Sequence, residues 1–108
     1  MKSDNNVVLT IDTTKTESVE VGIVHQSIIY KETASSKTLK SQMVLPLIEK
    51  LLRSRRLSIS DITDIEVHEG PGSFTGVRVG LSVANAIATL TGARINGKLA
   101  LALPIYNT

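Results

Sequence analysis

Two acids in this chain stand where a sheet could bring them together. Asp12 ends the apolar run Val7-Val8-Leu9-Thr10-Ile11, and Glu69 follows the shorter run Ile65-Glu66-Val67-His68. Carboxylates on the ends of adjacent parallel strands can hold magnesium and activate a water. Asp12 before Thr13-Thr14 is equally a good turn former, because its side chain can bond the backbone two residues on. A second grouping is Gly70-Pro71-Gly72-Ser73-Phe74-Thr75-Gly76. Glycine on either side of proline allows a tight turn out of a strand, and Ser73 or Thr75 can then cap a helix. Gly72, Ser73 and Thr75 are therefore candidates for an anion site, since free N–H groups and the helix dipole point outward at a helix start. Without a following Gly-Lys-Ser/Thr the segment is not a P-loop, and its glycine spacing is not that of a dinucleotide fold.

Composition closes off several other chemistries. There is no cysteine, which excludes disulfides, thiol catalysis and thiolate metal ligands. His25 and His68 are isolated in the sequence and do not make a zinc or iron site. Phe74, Tyr30 and Tyr106 are the only aromatic residues, so stacking on single-stranded bases has little to use. The polar start, Met1 to Asn6, carries no signal-peptide run, and no apolar stretch is long enough to span a membrane. A cytoplasmic location is expected. Net charge is only +2, yet Lys31, Lys37, Lys40, Lys50, Arg53, Arg55 and Arg56 cluster against Glu32 and Glu49. Asp61, Asp64, Glu66 and Glu69 then reverse the sign. Such asymmetry can steer an acidic partner such as tRNA, or can simply solvate a helix end.

The elements that position these residues follow from periodicity. Strands are expected over Val7–Ile11, Ser18–Val24 and Ile28–Glu32, joined by short turns into an antiparallel meander. Leu39, Met43, Leu47, Ile48, Leu51 and Leu52 recur at helical intervals, and Val44 and Leu45 widen the apolar arc enough for contact on two sides. Pro46 inside this helix should bend it or remove a hydrogen bond. Ser58 to Asp64 reads as a connector with Ser60 capping a short turn, Ile65 to His68 as a fourth strand, and Val77 to Thr91 as a second helix closed by Gly92. Asn96-Gly97 predicts a hairpin between Ala93–Ile95 and Lys98–Ile105, and Leu103-Pro104-Ile105-Tyr106 reads as a finished edge of a naturally short chain. The order is βββαβα with a short terminal hairpin, an α/β fold with a mixed sheet, and 108 residues is the size of one domain.

Gly76, Gly80, Ala84 and Ala88 form a lane of small residues along the second helix. Helical glycine costs about 0.5–1 kcal/mol relative to alanine, so two of them imply a close approach by a neighbouring backbone. That neighbour is either this chain's own sheet and helix or another molecule.

The run Gly70-Pro71-Gly72-Ser73-Phe74-Thr75-Gly76-Val77-Arg78-Val79-Gly80 resembles the hallmark of the TsaB/YeaZ family almost letter for letter. Ile11-Asp12-Thr13-Thr14 and Ser41-Gln42 with Leu45-Pro46 resemble that family's first-strand turn and first long helix. The likeness covers residues 7 to 92. One departure is Lys40, where many members carry histidine.

The resemblance implies one ribonuclease-H-like lobe of the actin-like ATPase fold over residues 1–108. It implies a non-catalytic scaffold in the machinery that installs threonylcarbamoyladenosine in tRNA, binding and activating its paralogous transferase, TsaD. The P-loop ATPase TsaE joins that complex, tRNA is met indirectly, and self-pairing through the same helices is an alternative. Partner contact would run through Met43, Leu47 and Leu51 of the first helix and Gly76, Gly80, Leu81, Ala84, Ile87 and Ala88 of the second. No cofactor is expected on this chain alone, because nucleotide in this superfamily sits between two lobes. A residual metal- or nucleotide-dependent enzyme using Asp12, or a module that only pairs with itself, are the competing readings.

Overall fold

A computed structural model describes residues 5–35, 40–72 and 74–99. The first apolar run is β1 (Val7–Asp12), in which Val7, Leu9 and Ile11 alternate with half-exposed Val8, Thr10 and Asp12. β2 (Ser18–His25) pairs antiparallel with β1, and β3 (Ile28–Ser35) pairs antiparallel with β2. The meander expected from sequence is present. β3 runs three residues past Glu32, since Ser18 of β2 still finds a partner in Ser35. Its tight link uses positive φ at both Gln26 and Ser27, the twist that two-residue hairpins require.

α1 (Lys40–Ser54) continues through Pro46, whose ring lies exposed, so the missing N–H costs one bond without ending the helix. Leu39 lies outside the described residues. Val44, Ile48, Leu51 and Leu52 form the buried stripe of α1. The helix ends on a paired-bond turn in which the Leu57 N–H bonds the Leu52 carbonyl (2.9 Å) and the Arg56 N–H bonds the Arg53 carbonyl (3.0 Å). Arg56 takes φ 58 there, a left-handed position that glycine usually holds and that costs other residues about 1–2 kcal/mol. A single 3-10 turn, Ile59–Asp61, follows. The Asp61 carboxylate accepts the Ser58 N–H at 2.8 Å, so the cap comes from Asp61 rather than from Ser60.

β4 (Asp64–Val67) lies parallel to β1, and α2 (Phe74–Thr91) follows a turn containing the cis Gly70–Pro71 bond. α2 begins one turn before the expected Val77, so Thr75 is within the helix and not its cap. Gly92 closes it at φ 77, with its N–H bonded to the Ala88 carbonyl (2.8 Å). β5 (Arg94–Ile95) runs parallel to β4. Asn96 and Gly97 both have positive φ and make the expected tight turn back to Lys98. The remainder of the expected second hairpin strand, from residue 100 on, lies outside the described residues.

The five-stranded sheet has the order β3-β2-β1-β4-β5. Register places Leu9, Ile11, Val21, Ile23, Ile65 and Val67 on one face, where they form a single cluster with the buried stripes of both helices. Asp12, Glu20 and Glu66 belong to the other face. No helix among the described residues is long and apolar enough to cross a membrane.

Candidate functional site

Ligands of open α/β sheets sit outside the carboxyl ends of parallel strands. In this chain that place is the shared upper end of β1 and β4, where Asp12-Thr13-Thr14, Lys40, His68 and Gly70-Pro71-Gly72 converge. Asp12 is the centre of the turn. Its Oδ1 accepts the Thr14 N–H at 3.0 Å and the Thr14 hydroxyl at 2.6 Å. Burial pushes the Asp12 carboxyl up, but the Thr14 bonds together with His68 and Lys15 outweigh it and hold it below its ordinary value. The acid is therefore an ionised turn anchor.

The partner of Asp12 across the sheet is His68 rather than the expected Glu69. Alternation along β4 puts Glu66 and His68 on the same face as Asp12, and the His68 Nδ1 stands 4.0 Å from the Asp12 Oδ2. Glu69 lies beyond the end of β4, half-exposed. Among the described residues no three His, Asp or Glu side chains come together as a metal site.

Thr13 turns inward, only 1% exposed, and its hydroxyl donates to the Gly76 carbonyl at 2.5 Å. This accounts for the small-residue lane of α2. A Cβ on Gly80 would lie 2.5 Å from the Thr13 Oγ1 and 3.4 Å from Val67. Lys40, at the start of α1, donates to the Thr13 carbonyl at 3.0 Å and to the Lys15 carbonyl. Burial pushes the Lys40 ammonium down, and Asp12 partly opposes that shift. Both helices are thus tied to the turn that ends β1.

The anion site expected at Gly72, Ser73 and Thr75 takes a different form. A Cβ on Gly72 would lie 2.7 Å from the Thr14 Cβ, so the glycine admits the chain's own β1 turn rather than a ligand. An ionised Asp12 at the same end opposes a second negative charge. Ser73 lies outside the described residues.

The residues expected to meet a partner divide by burial. Leu51 (4% exposed), Leu81 (3%), Ala84 (0%) and Ile87 (3%) belong to the chain's own core, and Gly76 and Gly80 are buried against β1. A residue already closed in by its own sheet has no surface left to offer. Met43, Leu47 and Ala88 are half-buried. Beside the lane α2 carries another stripe, Val79, Val83, Ala86 and Leu90, at four- and three-residue intervals, whose first two members pack partly against the core and whose last two face outward. Val79 and Val83 are half-buried, Ala86 is exposed, and Leu90 is 79% exposed; Leu45 is exposed on α1. The spacing of this flank is present in the sequence, about a quarter-turn round α2 from the small lane.

The face without helices holds a depression of about 300 Å³ bordered by Thr10, Asp12, Glu20, Lys31, Glu66 and His68. Lys31 pairs with Glu20 there at 3.4 Å.

The family model described as TsaD, tRNA N6-adenosine threonylcarbamoyltransferase, matches residues 28–97. The chain is 26% identical over 102 residues to the tRNA threonylcarbamoyladenosine biosynthesis protein TsaB of Buchnera aphidicola subsp. Schizaphis graminum, covering 94% of this chain and 43% of the relative. It is 32% identical over 81 residues to Escherichia coli TsaB, covering 75% of this chain and 35% of that protein. Among solved structures, YeaZ from Pseudomonas aeruginosa superposes with a TM-score of 0.78 at 27% identity, covering 83% of this chain and 42% of that one. The chain spans less than half the length of these relatives.

Proposed function

Since the chain belongs to the TsaB/YeaZ family, we propose that it serves tRNA threonylcarbamoyladenosine biosynthesis as a non-catalytic docking subunit. Its partner in this reading is the paralogous transferase, TsaD, with the ATPase TsaE joining the assembly. The polar groups at the end of β1 support a structural role. Asp12 is taken by Thr14, Thr13 by Gly76, and Lys40 by backbone carbonyls. These bonds hold the two helices in place.

The observation that carries the docking role is the apolar flank of α2 that runs from half-buried Val79 and Val83 out to exposed Ala86 and Leu90. A helix packed on its own sheet by one face gains nothing from a second apolar flank unless that flank is covered. Its spacing suits side-by-side packing of helices from two molecules. A second copy of this chain could occupy the same flank in the absence of the transferase.

The test is a titration of the transferase against Ala86→Glu and Leu90→Glu, both at exposed positions where the fold tolerates charge. Burying an unpaired carboxylate in the contact should weaken the complex by at least about tenfold, with the melting temperature retained. Unaltered affinity in both variants would remove this flank as the docking face.

A further inference from the structure

The cations at the end of α1 have no part in the docking stripe or in the turn at Asp12. Lys50, Arg53, Arg55 and Arg56 fall within seven consecutive positions, and all four are exposed. Among the described residues, no carboxylate forms an ion pair with any of them. The nearest acids in sequence are Glu49, exposed on the preceding turn, and Asp61, whose carboxylate is occupied by the Ser58 N–H. Helix C-termini favour a nearby cation. Arg53, in the last turn of α1, already meets that need.

Two of these arginines are held in ways that charge solvation alone does not require. The Arg55 guanidinium lies over the Tyr30 ring at 4.1 Å to its centroid, which fixes its plane while leaving the residue exposed. Arg56 occupies the left-handed position of the helix-ending turn, φ 58, where glycine would be unstrained. The turn itself is complete without it, because its bonds are backbone bonds and Leu57 and Leu52 both pack on the core. The arginine side chain is thus kept at a place where it weakens the fold.

We propose that this end of α1 is a binding surface for the phosphate backbone of tRNA. Guanidinium groups match phosphate oxygens with paired, planar donors, and three of the four cations are arginines. Among the described residues, the aromatic ring beside them, Tyr30, is covered by Arg55 and is not offered to a base, so recognition is of the backbone. The inference rests on the tRNA-modification reading above, but it uses a separate surface.

A fluorescently labelled unmodified tRNA transcript, titrated with the full chain at several salt concentrations, provides the test. Arg56→Gly should leave the melting temperature equal or higher and weaken tRNA binding several-fold. Arg55→Ala combined with Arg56→Gly should flatten the salt dependence by about 0.9 log–log unit for each duplex phosphate that the variant no longer neutralises. Unchanged affinity and slope in the double variant would overturn the proposal. So would a chain that ignores tRNA yet binds polyglutamate, the behaviour of a site for acidic protein. A lower melting temperature in Arg56→Gly would assign the side chain to helix stability instead, again overturning it. Transferase binding is measured on the same variants and should not change. Failure of the wild-type chain to bind the transferase would count against the docking role alone.

Discussion

Asp12 is the residue whose surroundings fix its role most closely. Two hydrogen bonds from Thr14 favour the ionised form, and with His68 and Lys15 they overcome the penalty of partial burial. A carboxyl whose value in the folded chain lies below its ordinary 3.8 binds protons less readily there than in the unfolded chain. Its stabilisation is therefore complete above the unfolded value and is lost as pH falls through the folded one. Asp12→Ala should cost about 1–3 kcal/mol at pH 7, as expected for charge-assisted bonds. Chemical denaturation of both proteins from pH 7 down to pH 2 should show that difference persisting to about pH 4 and shrinking below it. A pH-independent gap would mean that the side chain acts by shape and not by charge.

The close approach of two elements decides what the glycines of α2 are for. Gly76 and Gly80 lie against the end of β1, and the Thr13 hydroxyl reaches the Gly76 carbonyl through the gap. Helical propensity taken alone makes Gly80→Ala a gain of about 0.5–1 kcal/mol. The contact reverses that sign, because the added methyl would sit 2.5 Å from the Thr13 Oγ1. Thermal denaturation should find Gly80→Ala destabilised by about 1–3 kcal/mol. Combining it with Thr13→Ala should recover part of that loss, as expected when two neighbours compete for one space. A simple sum of the two costs would place the strain elsewhere. A different close fit extends the sheet at β4. Asn96 bonds both the N–H (2.9 Å) and the carbonyl (3.0 Å) of Val67 through its side-chain amide, so β5 guides β4 beyond its own two residues.

For the molecule as a whole, one buried cluster joins β1, β2, β4 and both helices without a break. Continuity of that kind makes partial unfolding costly, so a single cooperative transition is expected. Ile48→Ala, at a fully buried position of α1, should shift the whole transition by about 2–5 kcal/mol and leave it single. A separate early melting of α1 by helix-sensitive circular dichroism would contradict the shared core. The same cluster explains why the docking surface and the basic end are compatible. Core packing uses one face of each helix, leaving the α2 flank and the α1 terminus to other partners.

Much of this arrangement is written in the chain itself. The order of strands and helices follows from hydrophobic spacing and turn chemistry, which act over a few residues, and the glycine-proline run carries the family. Asn96-Gly97 and Gly92 announce their turns because few other residues take positive φ cheaply. Which face of α2 points inward was not written there, since the small lane and the Val79–Val83–Ala86–Leu90 stripe are both consistent with burial. Only the arrival of Thr13 from a strand 63 residues away settles it. Likewise, sequence suggested Glu69 as the neighbour of Asp12, and the parallel register of β1 with β4 brings His68 there instead. Local forces name the elements; steric fit between segments distant along the chain decides which surfaces remain free.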